Sequence, residues 1–156
     1  MPLYFAYGSN MDVAAMKVRC PAARPIGPAR LLRHRFLING DGYATVVRDP
    51  RATVHGLLWD LALSDVGPLD RYEAIDRGLY VKVLQPVMTG QGPRRALVYV
   101  GRSAVPGVAK PGYLEAVVEA ARAAGLPADY VAGLMPGKAG EAAPAPSFRA
   151  IGRKDR

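Results

Sequence analysis

The chain has few of the residues that most often do chemistry unaided. Its 156 residues include one cysteine, Cys20, and two histidines, His34 and His55. A lone cysteine excludes an intrachain disulfide. It also excludes a zinc motif, because no histidine pair or carboxylate stands at metal-ligand spacing with either histidine. Cys20 precedes Pro21 with no obvious base beside it, so it reads as a structural thiol. His34 lies in a basic strand and His55 in a strand before Gly56, and neither is a strong catalytic candidate. There is no phosphate-binding loop, no dinucleotide fingerprint and no Gly-x-Ser-x-Gly elbow, so no nucleotide cofactor and no serine nucleophile are indicated. No apolar run approaches membrane-spanning length. The first residues lack a basic segment followed by a long apolar stretch, so no signal peptide is expected. A cytoplasmic protein with no membrane partner is the expectation.

Half of the residues are hydrophobic, and the length suits one compact domain with a real core. The formal net charge is +8, which raises nucleic acid or an acidic substrate as partners. The basic residues are scattered, however. The densest group is Arg30, Arg33, His34 and Arg35, and no helix-turn-helix, zinc-finger or RNA-recognition pattern accompanies it. No nucleic-acid partner is expected.

The most informative stretch is Leu3-Tyr4-Phe5-Ala6-Tyr7-Gly8-Ser9-Asn10-Met11. Leu3, Phe5 and Tyr7 alternate with Tyr4 and Ala6, which predicts a buried strand. The run then breaks at Gly-Ser-Asn. Gly8 permits positive φ and close approach of a ligand to the backbone. Ser9 and Asn10 add short polar side chains and exposed N–H groups. Asn10 or Asp12 can cap a helix over residues 12–16. Strand, tight turn and helix start together make either an anion-binding corner or an ordinary strand-to-helix connection.

Further on, residues 20–28 read as a Pro-rich connection and 29–39 as a long strand. Asn39-Gly40-Asp41-Gly42 is a strong turn. Residues 43–47 and 54–61 predict strands separated by Asp49-Pro50-Arg51. Residues 78–88 and 96–100 predict another pair around a turn at 90–93. A short helix is expected over 64–75, with Ser64 as N-cap and Pro68 in its first turn. Residues 113–124 predict a helix closed by Gly125, and 128–134 a second one after Pro127. Many strands with a few interspersed helices indicate an α+β domain with a closed or nearly closed sheet. Residues 1–135 form the expected domain, and 136–156 a Pro-, Ala- and Gly-rich tail.

Glu73 is the leading catalytic candidate. It follows Leu69 by four residues and Val66 by seven, on the apolar stripe of the expected helix. A carboxylate on an inward stripe must find a partner or shift its pKa upward. It then suits general acid/base work near neutral pH. Outward rotation, or pairing with an arginine, is the structural alternative.

Three motifs carry a resemblance to the gamma-glutamylcyclotransferase family over most of residues 3–135. The first is Tyr4-Phe5-Ala6-Tyr7-Gly8-Ser9-Asn10 near the start. The second is Leu69-Asp70-Arg71-Tyr72-Glu73 followed by Gly78-Leu79-Tyr80. The third is Pro111-Gly112-Tyr113 leading to Gly125-Leu126-Pro127 and Tyr130. The resemblance implies a small mixed β-barrel flanked by helices. It implies an enzyme without cofactor or metal that cyclises an L-γ-glutamyl group to 5-oxoproline and releases an amine or amino acid. It assigns the acid/base role to Glu73 and substrate binding to Tyr4, Tyr7, Gly8, Ser9, Asn10 and Tyr113. Tyr80 either hydrogen-bonds in the site or packs in the core, and the same alternative holds for Tyr113. Backbone N–H groups of Gly8, Ser9 and Asn10 suit either the substrate carboxylate or the developing oxyanion. Two other readings stay open: a relative specific for a biosynthetic γ-glutamyl amine, and a non-catalytic binding or regulatory member of the same fold. The expected partner is a small γ-glutamyl molecule; neither the leaving amine nor the oligomeric state is specified by the sequence.

Overall fold

The computed structural model describes residues 2–135, so the expected tail at 136–156 lies outside the described residues. Five strands close into a barrel in the order β1-β3-β2-β4-β5. They are β1 (Leu3–Ala6), β2 (Arg24–Ile38), β3 (Ala44–Asp60), β4 (Tyr80–Thr89) and β5 (Gly92–Gly101). Neighbours pair antiparallel except β1 and β5, which run parallel and close the barrel at Tyr4 beside Leu97. Among the described residues four helices flank it: α1 (Val13–Arg19), α2 (Leu63–Tyr72), α3 (Tyr113–Ala123) and α4 (Ala128–Leu134). This is the α+β barrel expected from the sequence. Among the described residues no helix is long and apolar enough to cross a membrane.

The alternation in β1 is used on both faces. Phe5 and Tyr7 join Ala29, Leu31, Val46, Val54, Leu58, Val87, Ala96 and Val98, so every strand contributes to the barrel interior. Tyr4 and Ala6 point the other way. They pack with Leu57, Trp59 and Tyr99 under Met16 of α1, Leu69 of α2, Val117 and Ala121 of α3 and Val131 of α4. A strand of period 2 buried on both faces reads as a nearly continuous apolar run, which is what β1 shows.

Several boundaries differ from the sequence expectation, each for a local reason. Strand β2 begins at Arg24 and runs through Pro25 and Pro28, which the sequence presents as a connection. A register shift between Pro25 and Gly27 absorbs the missing donors. Residues 44–60 form one strand, not two. Its pairing with β2 jumps from His34–Arg48 to Leu32–Thr53, so Asp49-Pro50-Arg51-Ala52 bulges out opposite Arg33. Helix α2 starts at Leu63 and its N-cap is Ala62, not Ser64; no side chain caps it. The Leu61 N–H bonds the Pro2 carbonyl and ties down the end of β3 just ahead of the helix. Pro68 therefore falls in the second turn of α2. The helix also stops early, at Tyr72, because Ala74 adopts a left-handed conformation with φ 55°. Residues Ile75–Arg77 make a separate 3-10 turn. Asp12 is the cap of α1, its side chain accepting from the Ala15 N–H at 3.2 Å.

Candidate active site

Strand direction decides where the candidate residues meet. β1 and β5 are parallel, so their C-terminal ends share one rim. β3 and β4 run antiparallel to β1 and β5, so their starts reach the same rim. The turn after β1, Tyr43 and Ala44 opening β3, Tyr80 opening β4 and Tyr99 near the end of β5 therefore converge. The end of α2 and the start of α3 complete the wall. Between them lies a cleft of about 200 Å³ lined by Tyr4, Tyr7, Gly8, Ser9, Asn10, Tyr43, Ala44, Tyr72, Glu73, Ala74, Arg77, Leu79, Tyr80, Tyr99 and Tyr113. All seven residues singled out from the sequence line this cleft.

Glu73 is half-buried and caps the C-terminal end of α2, its N–H bonded to the Leu69 carbonyl at 3.0 Å. Leu69 beneath it is fully buried and fixes the helix against the core. Burial pushes the Glu73 carboxyl up to about 7; Arg19 opposes the rise and Asp70 adds to it. The end of a helix carries partial negative charge, which also disfavours a carboxylate there. Asp70 does not compete for the role. It accepts from Tyr99 Oη at 2.5 Å and from Lys82 Nζ at 2.9 and 3.1 Å. Ala74 supplies the bend after Glu73 at the expense of a conformation non-glycine residues avoid, worth about 1–2 kcal/mol.

The Gly8 expectation needs correction. Its φ is −123°, so the turn does not use the left-handed freedom of glycine. The reason for glycine is space: a Cβ there would stand 3.1 Å from Tyr113 Oη and 3.6 Å from Ala44 Cβ. Ser9–Met11 form a 3-10 turn, closed by the Met11 N–H to the Gly8 carbonyl. The N–H groups of Ser9 and Asn10 have no acceptor within the chain among the described residues. The Asn10 side chain, by contrast, is spent on the fold. Its amide donates to Tyr4 Oη at 3.0 Å and its Oδ1 accepts from Arg19, while the backbone carbonyl of Asn10 accepts from Trp59 Nε1 at 3.1 Å. What Asn10 offers the cleft is its backbone donor.

The tyrosines form most of the remaining wall. Burial raises the hydroxyl pKa of Tyr4, Tyr7, Tyr80, Tyr99 and Tyr113, the last to about 12, so all five stay neutral hydrogen-bonding groups. Tyr113 Oη accepts from the Ala44 N–H at 3.2 Å, and Tyr80 Oη donates to the Ala44 carbonyl at 2.6 Å. The Tyr113 ring packs edge-on against Tyr43 with centroids 5.3 Å apart, and its hydroxyl, held by the Ala44 N–H, lines the cleft. Tyr7 Oη donates to the Tyr99 carbonyl.

The sequence reading did not single out Tyr43, Tyr72, Arg77 or Tyr99. Tyr43 follows the strong turn at 39–42, and Tyr72 adjoins Glu73, which are the available signals. Neither histidine lines the cleft. Cys20 is buried and its thiol is pushed up to about 11, by burial first and then by Asp65, against the pull of Arg19. That is the opposite of what a nucleophilic thiol needs. Among the described residues no three His, Cys, Asp or Glu side chains cluster to hold a metal.

Known proteins resemble this one across both sequence and shape. The model of the AIG2-like family matches residues 53–134. The human gamma-glutamylcyclotransferase is 30% identical over 142 residues, spanning 82% of this chain and 74% of its own length. The bovine gamma-glutamylcyclotransferase is 29% identical over 141 residues with the same shares. A solved structure of a gamma-glutamyl cyclotransferase superposes with a TM-score of 0.76 at 29% identity, covering 85% of each chain.

Proposed function

The chain belongs to the gamma-glutamylcyclotransferase/AIG2-like family, and from that premise we propose that its cleft closes an L-γ-glutamyl group into 5-oxoproline and expels the attached amine. The observation that carries this reading is Glu73, a half-buried carboxyl with a pKa near 7 in the wall of a tyrosine-lined cleft. A pKa at the working pH is what one group needs to accept and then return a proton.

The nucleophile belongs to the substrate. Glu73 takes a proton from the α-ammonium, and the freed amine attacks the γ-carbonyl carbon. The new C–N bond closes a five-membered ring, and the carbonyl electrons move onto oxygen. Collapse of that intermediate breaks the old amide bond. The departing nitrogen receives the proton from Glu73, which returns the carboxylate to its starting state, and the ring nitrogen passes its second proton through solvent to the released amine, leaving the neutral lactam and an ammonium ion. Such proton transfer typically contributes about 10²–10⁴-fold. Folding the γ-glutamyl chain back on itself supplies the rest of the geometry.

The unpaired N–H groups of Ser9 and Asn10 support a role in holding the α-carboxylate or the oxyanion. The five neutral tyrosine hydroxyls on the wall suit a polar, uncharged frame around the γ-glutamyl half. About 200 Å³ is small beside the roughly 300–1,000 Å³ typical of drug-sized ligand sites. It suits the γ-glutamyl half, with the leaving amine projecting outward past the rim. The test is a panel of L-γ-glutamyl amino acids, γ-glutamyl amines and glutathione, with 5-oxoproline detected directly. At least one member should yield 5-oxoproline and free amine in equal amounts. Silence across the panel from folded protein would retire the cyclotransferase reading and leave the non-catalytic member of the fold.

Two substitutions examine the wall. Gly8→Ala is expected to raise KM roughly 10-fold, because its Cβ displaces the Tyr113 hydroxyl and narrows the cleft. With φ at −123° the change brings no left-handed strain, so Tm should fall no further than in Tyr113→Phe, which loses the same bond to Ala44. A large Tm drop with normal KM would mean that the turn serves only the fold. Tyr113→Phe leaves the Ala44 N–H without its acceptor and should cost about 1 kcal/mol of stability. If the hydroxyl also meets substrate, KM rises at constant kcat. An unchanged KM with the same stability loss would confine Tyr113 to holding Ala44.

A further inference from the structure

We propose that Arg19, the last residue of α1, is a positioning residue that brackets the binding turn and the Glu73-bearing end of α2. The guanidinium serves two partners at once. It donates to Asn10 Oδ1, and its Cζ lies 3.7 Å above the centre of the Tyr72 ring. Asn10 belongs to the turn after β1, and Tyr72 immediately precedes Glu73. Tyr72 closes the bracket a second time, its hydroxyl 2.8 Å from Ser9 Oγ. The turn and the helix end come from residues some 60 positions apart, a separation that local geometry cannot hold.

The anchoring of α1 suits this purpose. Met16 and Cys20 are fully buried, which fixes the helix, while Arg19 between them leaves the core half-exposed. A cation in the last turn is also favoured by the helix dipole. A planar guanidinium can donate in its plane while stacking through its face, which an ammonium cannot reproduce. The charged groups acting on Glu73 are Arg19 and Asp70; Arg77 lines the same cleft, and Lys82 is paired with Asp70. Arg19 holds the Glu73 pKa down against burial, so its loss should also show in the pH profile.

The kinetic consequence rests on the cyclisation reading above, but the bracket has a readout that does not. The sole tryptophan, Trp59, donates its indole N–H to the Asn10 carbonyl, so its single indole signal in a ¹H–¹⁵N spectrum reports on the turn. In Arg19→Met, solvent exchange of that proton should accelerate roughly 10-fold or more. KM should rise roughly 10-fold, and the acid limb of kcat/KM should move to higher pH. Arg19→Lys should restore only part of the change. Tyr72→Leu alters a half-exposed side chain with little risk to folding, and should move the indole signal in the same direction even if Arg19→Met fails to fold. Indole exchange within about twofold of the parent in the folded variants would overturn the proposal. If the parent itself forms no 5-oxoproline, the cyclisation reading fails, and the indole signal still decides the role of Arg19.

Discussion

Glu73→Gln is expected to lower turnover by about 10³-fold or more while the protein remains folded. Glutamine preserves the size and the hydrogen-bonding reach of the side chain but cannot carry a proton between the two nitrogens. In the parent, kcat/KM should rise with pH through an acid limb near 7, because burial keeps the carboxyl protonated below that point. In the variant that limb should vanish along with the activity. Near-parental turnover, or an unchanged limb in residual activity, would remove Glu73 from the mechanism.

The same substitution should make the protein more stable, and the pH at which it does so is diagnostic. The folded-state carboxyl titrates near 7, against an ordinary value of 4.5. Between these values the folded state binds the proton that the unfolded state has already lost. The parent therefore keeps its full stability below about 4.5 and loses part of it as pH rises through 7. Glutamine pays no such penalty. The stability gap in favour of Glu73→Gln should open by about 1–3 kcal/mol between pH 5 and pH 8, the half-buried side chain's remaining water contact trimming the full linkage value. Denaturant melts at the two pH values measure it. A gap that stays constant would mean that Glu73 is well solvated in the folded state. Stability given up at a site that needs a desolvated group is a familiar trade between activity and stability.

What the sequence discloses about this site follows from how local each feature is. The strand β1 is legible because both of its faces are apolar, and the break at Gly8-Ser9-Asn10 is legible because those residues avoid strands. Glu73 is legible from its four-residue spacing to Leu69. The hydrogen bond from Glu73 N–H to the Leu69 carbonyl preserves that spacing, although the helix proper ends at Tyr72. The end itself is not legible, because alanine at residue 74 gives no sign of a left-handed bend. Gly8 misleads in the opposite sense: glycine suggests positive φ, yet the requirement comes from Tyr113, more than a hundred residues away. Asn10 likewise looks like a ligand-binding amide until Tyr4 and Arg19 are seen to occupy it. Tyr43, Tyr72 and Tyr99 reach the cleft only because barrel closure brings four strand ends to one rim. Arg19 appears in the sequence as an ordinary cation at a helix end.

Gly56→Ala should be the most damaging small substitution in the barrel, although the residue lies in no motif. Gly56 sits in β3 opposite Ala29 of β2, next to Leu57, which pairs with Ala6 of β1. It is buried, and its φ is not in the left-handed range. The constraint is the close passage of β1. An added Cβ would fall within contact distance of the Ala6 carbonyl oxygen and 2.8–2.9 Å from the Phe5 ring. Phe5 is fully buried among Leu31, Val54 and Leu58, so its ring has nowhere to retreat, and the carbonyl belongs to the backbone. Strand β1 must therefore move, and it pairs with β3 through only four residues before it reaches Tyr7 and the turn at Gly8. Overpacking of this kind costs about 3 kcal/mol or more, a large share of the roughly 5–15 kcal/mol that holds a domain together. Tm should fall by about 10 °C in a chain of this size. Any protein that remains folded should show a raised KM, since displacement of β1 carries Gly8, Ser9 and Asn10 with it. A Tm within about 2 °C of the parent would mean that β1 yields far more easily than its packing implies.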